Sequence, residues 1–410
     1  MKKLLSLILA VLLLVLCLSA CGSDNGPAPD DGEQANTEPA DGGAEASGDV
    51  ITIGILGPQT GAVAQYGIAV KNGAQLYFDQ LNAAGGINGK QIKYVVYDEE
   101  GDATKAVTGY NSLVDQGAVA IVGDVTTQPC VAVVTASQED NMPMITASAT
   151  ATTVTYDADS DTVYKNMFRS CFIDPFQGQT MAKFAKEVLN AETAAVLYDN
   201  GDTYSTGVYE YFVAECAELG IDVVAVESYA SGAVDYSGQL TNIANANPDV
   251  LFLPIYYNDV ALVATQAASA GVTATMLGVD GWASVLTVVT DPALVEGAYY
   301  CSGYSAEDTS ELVVKFLADY ADAYNGETPN MFSAQGYDAA WILCDAIAAA
   351  EESGAEYGSD AYKQAIIDAM AATDSDYVTG HVTYDEHNDP QKTAAIINIV
   401  DGAEAFWGSY

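Results

Sequence analysis

From Val50 to Val279 short β-rich runs alternate with longer amphipathic ones, and that alternation restricts the fold more than any other feature of the chain. Val50–Leu56 has the composition of a buried strand. Val70, Gly73, Ala74, Tyr77, Phe78 and Leu81 then recur at helical spacing, and Gly85-Gly86 supplies a C-terminal stop. Strands are expected over Gln91–Tyr97, 118–122 and 143–146, with helices over Ala103–Asp115 and 131–138 between them. A second series follows, with strands 194–198, 223–227, 250–255 and 275–279 separated by helices 206–219, 236–246 and 260–270. Two runs of βαβ units predict two parallel, doubly wound sheets. Beyond them the pattern changes to helices over 311–324, 335–350 and 361–371, then strand signals at 382–383 and 394–399. Those helices fit as cover for the first sheet and the last strands as additions to the second, which requires the chain to cross between lobes more than once. Such architectures bind small molecules in the cleft facing the carboxyl ends of their strands.

A chain of 410 residues is too long for one ordinary core and suits two or three domains. Its 13 Lys+Arg against 56 Asp+Glu leave a formal charge of −43. That surface repels phosphate backbones and anionic lipid, which argues against nucleic-acid and polybasic membrane partners and fits solubility outside the cell. The N-terminus reads as an export signal over 1–20. Lys2 and Lys3 precede an almost wholly apolar run over 4–18, too short for a membrane span, and Leu18-Ser19-Ala20-Cys21 ends it. Those four residues resemble a bacterial lipobox, which implies that Cys21 is lipidated and anchors the mature chain to the cell membrane. The remainder of 21–49 holds no aromatic residue, no Val, Leu, Ile or Met and no Lys or Arg. It reads as a disordered acidic tether with a span of roughly 30 Å.

Of 7 cysteines, Cys17 leaves with the signal and Cys21 is acylated. Cys130, Cys171, Cys216, Cys301 and Cys344 remain, scattered, without CxxC spacing, and read as small core residues. An enzyme needs an acid, a base or a nucleophile. The 2 histidines, His381 and His387, sit in a turn-like stretch with Asp385, Asn388, Asp389 and Pro390, and no GxSxG elbow is present. Gly57-Pro58-Gln59-Thr60-Gly61 lacks both the GxGxxG spacing and a GK[ST] ending, so no nucleotide cofactor is expected. Asp157, Asp159 and Asp161 begin like a calcium loop, but Thr162 replaces the required Gly and Phe168 stands where the bidentate Glu belongs; no metal is expected. Polar residues at strand ends remain. Thr126 and Thr127 follow Gly123-Asp124 and precede a helix, a good place to hold a carboxylate. Ser148 and Thr150 lie on a neighbouring loop, and Asp280 ends a second-lobe strand within Gly278-Val279-Asp280-Gly281-Trp282, where it could pair with an ammonium.

At these residues the chain resembles the substrate-binding lipoproteins of branched-chain amino-acid ABC transporters, the leucine/isoleucine/valine-binding family of type I periplasmic binding proteins. The resemblance is carried by the run from Gly61 to Gly67, by Gly85-Gly86-Ile87-Asn88-Gly89-Lys90, by Phe168-Arg169 with Asp174 and Gln177-Gly178, by Asp199 with Tyr204, and by Tyr384-Asp385-Glu386. It implies an α/β fold of two doubly wound lobes joined by a three-segment hinge, lobe 1 over 50–171 plus 302–379 and lobe 2 over 172–301 plus 380–410. By the same resemblance Thr127 meets a ligand carboxylate with help from the backbone at Thr150. The Ser148 carbonyl, the Thr150 hydroxyl and Asp280 meet its ammonium, Asp280 being one methylene shorter than the usual Glu. Tyr204 and Tyr256 close over the ligand, and Tyr66 and Phe332 wall the side-chain pocket. Gly101 and Thr126 occupy positions where relatives often carry a disulfide, and Trp282 is bulkier than a leucine-type pocket leads one to expect. The implied protein is a non-enzymatic, monomeric capture component that delivers an amino acid to a membrane permease. The alternatives are a ligand-sensing module of the same fold, a binder of small amides or urea, and an extracellular hydrolase, which lacks a nucleophile–His pair.

Overall fold

In the run Val-Ile-Thr-Ile-Gly-Ile-Leu both faces are apolar, as a strand covered on two sides requires, and four consecutive residues from Ile53 are buried. This strand, β1 (Val50–Leu56), is followed in the computed structural model, which describes residues 50–410, by α1 (Ala64–Ala83), β2 (Gln91–Tyr97), α2 (Ala103–Asp115), β3 (Ala120–Val122), α3 (Thr127–Ser137) and β4 (Met144–Thr146). A two-residue ribbon, β5 (Tyr156–Asp157) with β6 (Thr162–Val163), precedes β7 (Met167–Arg169). These strands form a parallel sheet in the order β2-β1-β3-β4-β7. The expected signal, Cys21 and the tether lie outside the described residues. Among those described, no helix is long and apolar enough to cross a membrane.

The second sheet is built from α4 (Asp174–Glu187), β8 (Thr193–Asp199), α5 (Thr203–Leu219), β9 (Asp222–Tyr229), α6 (Ser237–Ala246), β10 (Val250–Phe252), α7 (Tyr257–Ala270), β11 (Thr275–Gly278) and β12 (Tyr299–Ser302). The chain then returns to the first sheet as α8 (Glu311–Ala323), α9 (Met331–Glu352), α10 (Asp360–Ala371) and the hairpin β13 (Asp374–Tyr377) with β14 (Gly380–Thr383), and ends in β15 (Ala395–Val400) and β16 (Ala403–Ser409). The second sheet runs β16-β15-β12-β11-β10-β8-β9, with β15 antiparallel to both of its neighbours and the other strands parallel. Two doubly wound α/β lobes result, the fold of the type I periplasmic binding proteins.

Helix α4 and strand β12 carried no legible signal. Helix α4 begins Asp174-Pro175, the proline in a tolerated first-turn position, and its Gln177-Gly178-Gln179-Thr180 run dilutes the apolar periodicity. Helix α3 begins four residues before its expected start of 131, because Pro129 falls in the first turn, where no intrahelical N–H is needed.

The late helices return to lobe 1 through close packing of α9 on α1. A Cβ on Gly73 would come within 1.9 Å of the Ser333 carbonyl, and one on Gly336 within 2.3 Å of the Val70 carbonyl. Backbone lies against backbone at these points, so Gly73→Ala is expected to cost about 1–3 kcal/mol in urea unfolding by forcing the helices apart.

The third passage between sheets lies later than the expected boundary at 379/380, which would split the β13–β14 hairpin. Asp338 on α9 holds the hairpin turn, accepting the N–H groups of Val378 (2.9 Å) and Thr379 (2.7 Å). The next segment stays with β7. Asn388 donates to the Met167 carbonyl at 3.0 Å, and the Asp389 carboxylate stands 2.7 Å from Arg169 Nε. That contact is an ion pair set off the hydrogen-bond direction of Nε, which has no hydrogen-bond acceptor. The crossing therefore falls beyond Asp389, where β15 joins the second sheet.

Candidate functional site

On lobe 1, β3 and β4 end side by side and release two loops toward lobe 2. The first leads into α3, whose N-cap Thr126 makes no side-chain cap, so its first turn keeps free N–H groups beside the buried Thr127 hydroxyl. The second loop is held from three sides. Thr146 Oγ1 donates to the Asp124 carbonyl (2.5 Å) and accepts the N–H groups of Ser148 and Ala149. Arg169 donates to the carbonyls of Ala149 and Ala151, each at 3.0 Å. The Ser148 hydroxyl donates to the Val125 carbonyl at 2.7 Å, so its proton is committed to joining the two loops, and Ser148 has only acceptors left to offer.

On lobe 2, Asp280 follows β11 and is 3% exposed. Tyr204, at the start of α5, donates to its Oδ1 at 2.5 Å and accepts the Gly281 N–H at 3.1 Å. The Asp280 N–H donates to Gln177 Oε1 at 3.0 Å. Burial raises the Asp280 carboxyl to about 6, against the opposing hydrogen bond from Tyr204. The Tyr204 ring stacks on Tyr256 with centroids 5.0 Å apart. Burial pushes both phenols up, so they remain neutral donors.

The two sides meet. Tyr66 from α1 donates to the Gly281 carbonyl (2.5 Å) and accepts the Tyr257 N–H (3.2 Å), while Tyr257 donates to the Ala62 carbonyl at 2.8 Å. Tyr66 also packs edge-on against Tyr256 and 4.5 Å, centroid to centroid, from Phe332. Between them lies a small cavity of about 10 Å³, with room for little more than one water molecule as the lobes stand. Tyr66, Thr127, Ser148, Tyr204, Tyr256, Asp280 and Phe332 all line it, drawn from both lobes. Thr150 does not. It is fully buried, accepts the Asp174 N–H on its carbonyl at 2.8 Å, and its hydroxyl has no hydrogen-bond partner. Trp282 is also off the wall. Its indole N–H donates to the Leu253 carbonyl (2.9 Å), and its ring lies where a Cβ of Gly278 would be, inside lobe 2, so its bulk does not narrow the pocket.

Two wall residues, Val125 and Gly281, were not anticipated, while Thr126 was. Each adjoins an anticipated residue, and that adjacency is the signal that could have found them. Through Thr126 and Tyr256 the cavity adjoins a mouth bearing Glu100, Asp199, Asp202 and Asp259, with Gly101 and Thr126 both on its rim. A larger open hollow around Tyr304, Asp308 and Thr379 shares no residue with the cleft, so chemistry rather than size identifies the site. Neither histidine faces it: His381 sits between Asp374 and Asp376, and His387 stacks on Tyr156. The five body cysteines are buried free thiols, as their scattered spacing suggested.

The cleft can hold a small molecule with an anionic end at the α3 terminus and a cationic end at Asp280, between aromatic walls. Comparison with known proteins agrees in fold and in extent. A family model for periplasmic binding proteins matches residues 50–404. The chain is 30% identical over 345 residues to a leucine-, isoleucine-, valine-, threonine- and alanine-binding protein of Pseudomonas aeruginosa, covering 83% of this chain and 87% of that one. Among solved structures it superposes on a leucine-binding protein of Thermotoga maritima with a TM-score of 0.79, at 28% identity, covering 88% of this chain and 98% of that one. It superposes with a TM-score of 0.78 on a branched-chain amino-acid transporter substrate-binding protein of Streptococcus pneumoniae in complex with isoleucine, at 29% identity and the same coverage. The chain belongs to the periplasmic binding protein family, among relatives that bind leucine, isoleucine and valine.

Proposed function

We propose that this protein is the extracytoplasmic substrate-binding component of an ABC transporter, which captures a branched-chain or similar apolar amino acid in the interlobe cleft and presents it to a membrane permease. It acts as a monomer, without catalysis, held to the membrane only by lipid on Cys21. The observation that carries this reading is the shared lining of the interlobe gap, which takes a helix N-terminus with Thr127 from one lobe and the buried Asp280 carboxylate from the other; the lobes must part to admit the ligand. A zwitterion gives up strong hydration on entering such a site, which is unfavourable unless both ends find charge-assisted partners. Because those partners belong to different lobes, the ligand stabilises the closed arrangement over the open one, and closure presents a new surface to the permease. Tyr66, Phe332 and Tyr256 supply apolar walls against which an aliphatic side chain would pack once the lobes part.

The fold alone does not select the ligand. Structural neighbours at 21% and 19% identity hold benzoate and 3,4-dihydroxybenzoate. Those ligands would leave Asp280 facing no cation, beside a mouth that already bears four carboxyl groups. A thermal-shift series is therefore expected to show leucine, isoleucine and valine raising the melting point by several degrees, with benzoate and urea leaving it unchanged. Stabilisation by benzoate and by none of the amino acids would overturn the reading.

A further inference from the structure

Below the lobe-1 floor of the cleft, two carboxyl groups are buried against each other. Glu99 lies in the β2–α2 loop and Asp124 in the loop leading to α3; both are fully buried. One oxygen of each is satisfied by backbone. Glu99 Oε2 accepts the N–H groups of Gly101 and Asp102, and Asp124 Oδ1 accepts the Val125 N–H at 2.5 Å. The other two, Glu99 Oε1 and Asp124 Oδ2, have no donor, although the two side chains are within hydrogen-bonding reach of each other. Two carboxylates cannot satisfy one another; a carboxylic acid and a carboxylate can. The backbone of Asp124 belongs to the site's framework, since its carbonyl takes the Thr146 hydroxyl that orders Ser148 and Ala149.

We propose that Glu99 and Asp124 are positioning residues that share one proton at neutral pH, in an O–H···O⁻ bond from Asp124 to Glu99 that ties the β2–α2 loop to the loop carrying Thr127. The direction of the bond follows from the partners already in place. Glu99 accepts two backbone N–H groups, which favour its ionised form, whereas Asp124 accepts one and is the better donor. Burial raises both groups, Glu99 to about 7 and Asp124 further, because the Glu99 charge opposes a second ionisation. The titratable groups facing the pair are Asp98, just after β2, whose charge disfavours ionisation of Glu99, and the Cys130 thiol on α3, which burial keeps neutral. Asp98 is itself spent on the Gln59 and Thr60 N–H groups and the Thr60 hydroxyl.

For an acid whose folded pKa lies above its unfolded value, stability is greatest at low pH and is lost as pH rises toward the folded pKa. Asp124→Asn replaces the shared proton with an amide donor that cannot leave. In ligand-free protein it is expected to remove one proton's worth of this loss, up to a tenfold change in the unfolding constant per pH unit between about pH 5 and 8. Infrared difference spectra at pH 8 should show a protonated-carboxyl band that the Asn variant lacks. In leucine titrations Asp124→Ala is expected to weaken binding at least tenfold while Asp124→Asn stays within about threefold, since only Asn preserves the tie. The affinity arm rests on the amino-acid reading of the cleft; the pH and infrared arms need no ligand, so failure of one is separable from failure of the other. Wild type without the infrared band at pH 8, or an Asn variant with the wild-type pH dependence, would overturn the proposal. Should the Ala variant not fold, the wild-type and Asn measurements still decide it.

Discussion

Asp280→Ala is expected to weaken amino-acid binding by at least tenfold in calorimetry. Among the described residues Asp280 is the one charged side chain on the cavity wall, 3% exposed, with its carboxylate held by Tyr204 and its backbone N–H by Gln177, so no other wall group can take over its charge. A charge-assisted hydrogen bond lost inside a closed site removes about 1.5–3 kcal/mol, and tenfold corresponds to about 1.4 kcal/mol. The pH dependence has a fixed sign. With the ligand-free carboxyl raised to about 6, affinity should fall as pH drops through that value, because the protonated acid offers the ammonium no charge. Asp280→Asn keeps an acceptor for Tyr204 and should flatten the profile. The same variant should make the ligand-free protein more stable at pH 8, since a buried carboxylate with a raised pKa costs stability once ionised. An affinity unchanged in both variants would remove Asp280 from the site.

The second large effect belongs to the hinge. Arg169→Met is expected to destabilise the protein by roughly 3–5 kcal/mol in urea unfolding, the usual cost of leaving one partner of a buried ion pair alone. Arg169 is fully buried. Besides its contact with Asp389 it donates to Ala149, Ala151 and the Thr155 hydroxyl. One side chain thus joins β7, the loop bearing Ser148, and the segment that begins the last crossing between lobes. Replacing Asp389 with leucine in the Arg169→Met background should recover part of the loss, because the stranded charge goes with it. A change below about 1 kcal/mol for the single variant would make the contact no stronger than a surface pair.

Much of this architecture was open to reading because periodicity is local. The runs at Val50–Leu56, Gln91–Tyr97 and Ala103–Asp115 match their observed elements end to end, for each carries its burial pattern within a few residues. Helix α4 was lost because glutamine, glycine and threonine interrupt its apolar stripe, although a packed helix tolerates them once α5 lies against it; a Cβ on Gly178 would come within 2.7 Å of the Phe212 nitrogen. The hairpin β13–β14 was half seen, because Asp374–Tyr377 is polar over three exposed residues and is specified by its partner strand and by Asp338 rather than by its own composition. In the site, residues at strand ends were legible by position. Where side chains point was not: Thr150 and Trp282 both sit beside lining residues, yet both turn away.

Taken alone, the sequence determined most of the order of strands and helices, the two βα series and the polar residues that end their strands, since hydrophobic pattern and turn chemistry act over a few residues. The tertiary structure alone decided which strand ends share a cavity, where the last crossing falls, and that Glu99 and Asp124, 25 positions apart (124 minus 99), are both fully buried and face each other. Those outcomes depend on desolvation and on hydrogen bonds between distant segments, and neither exists until the lobes are packed.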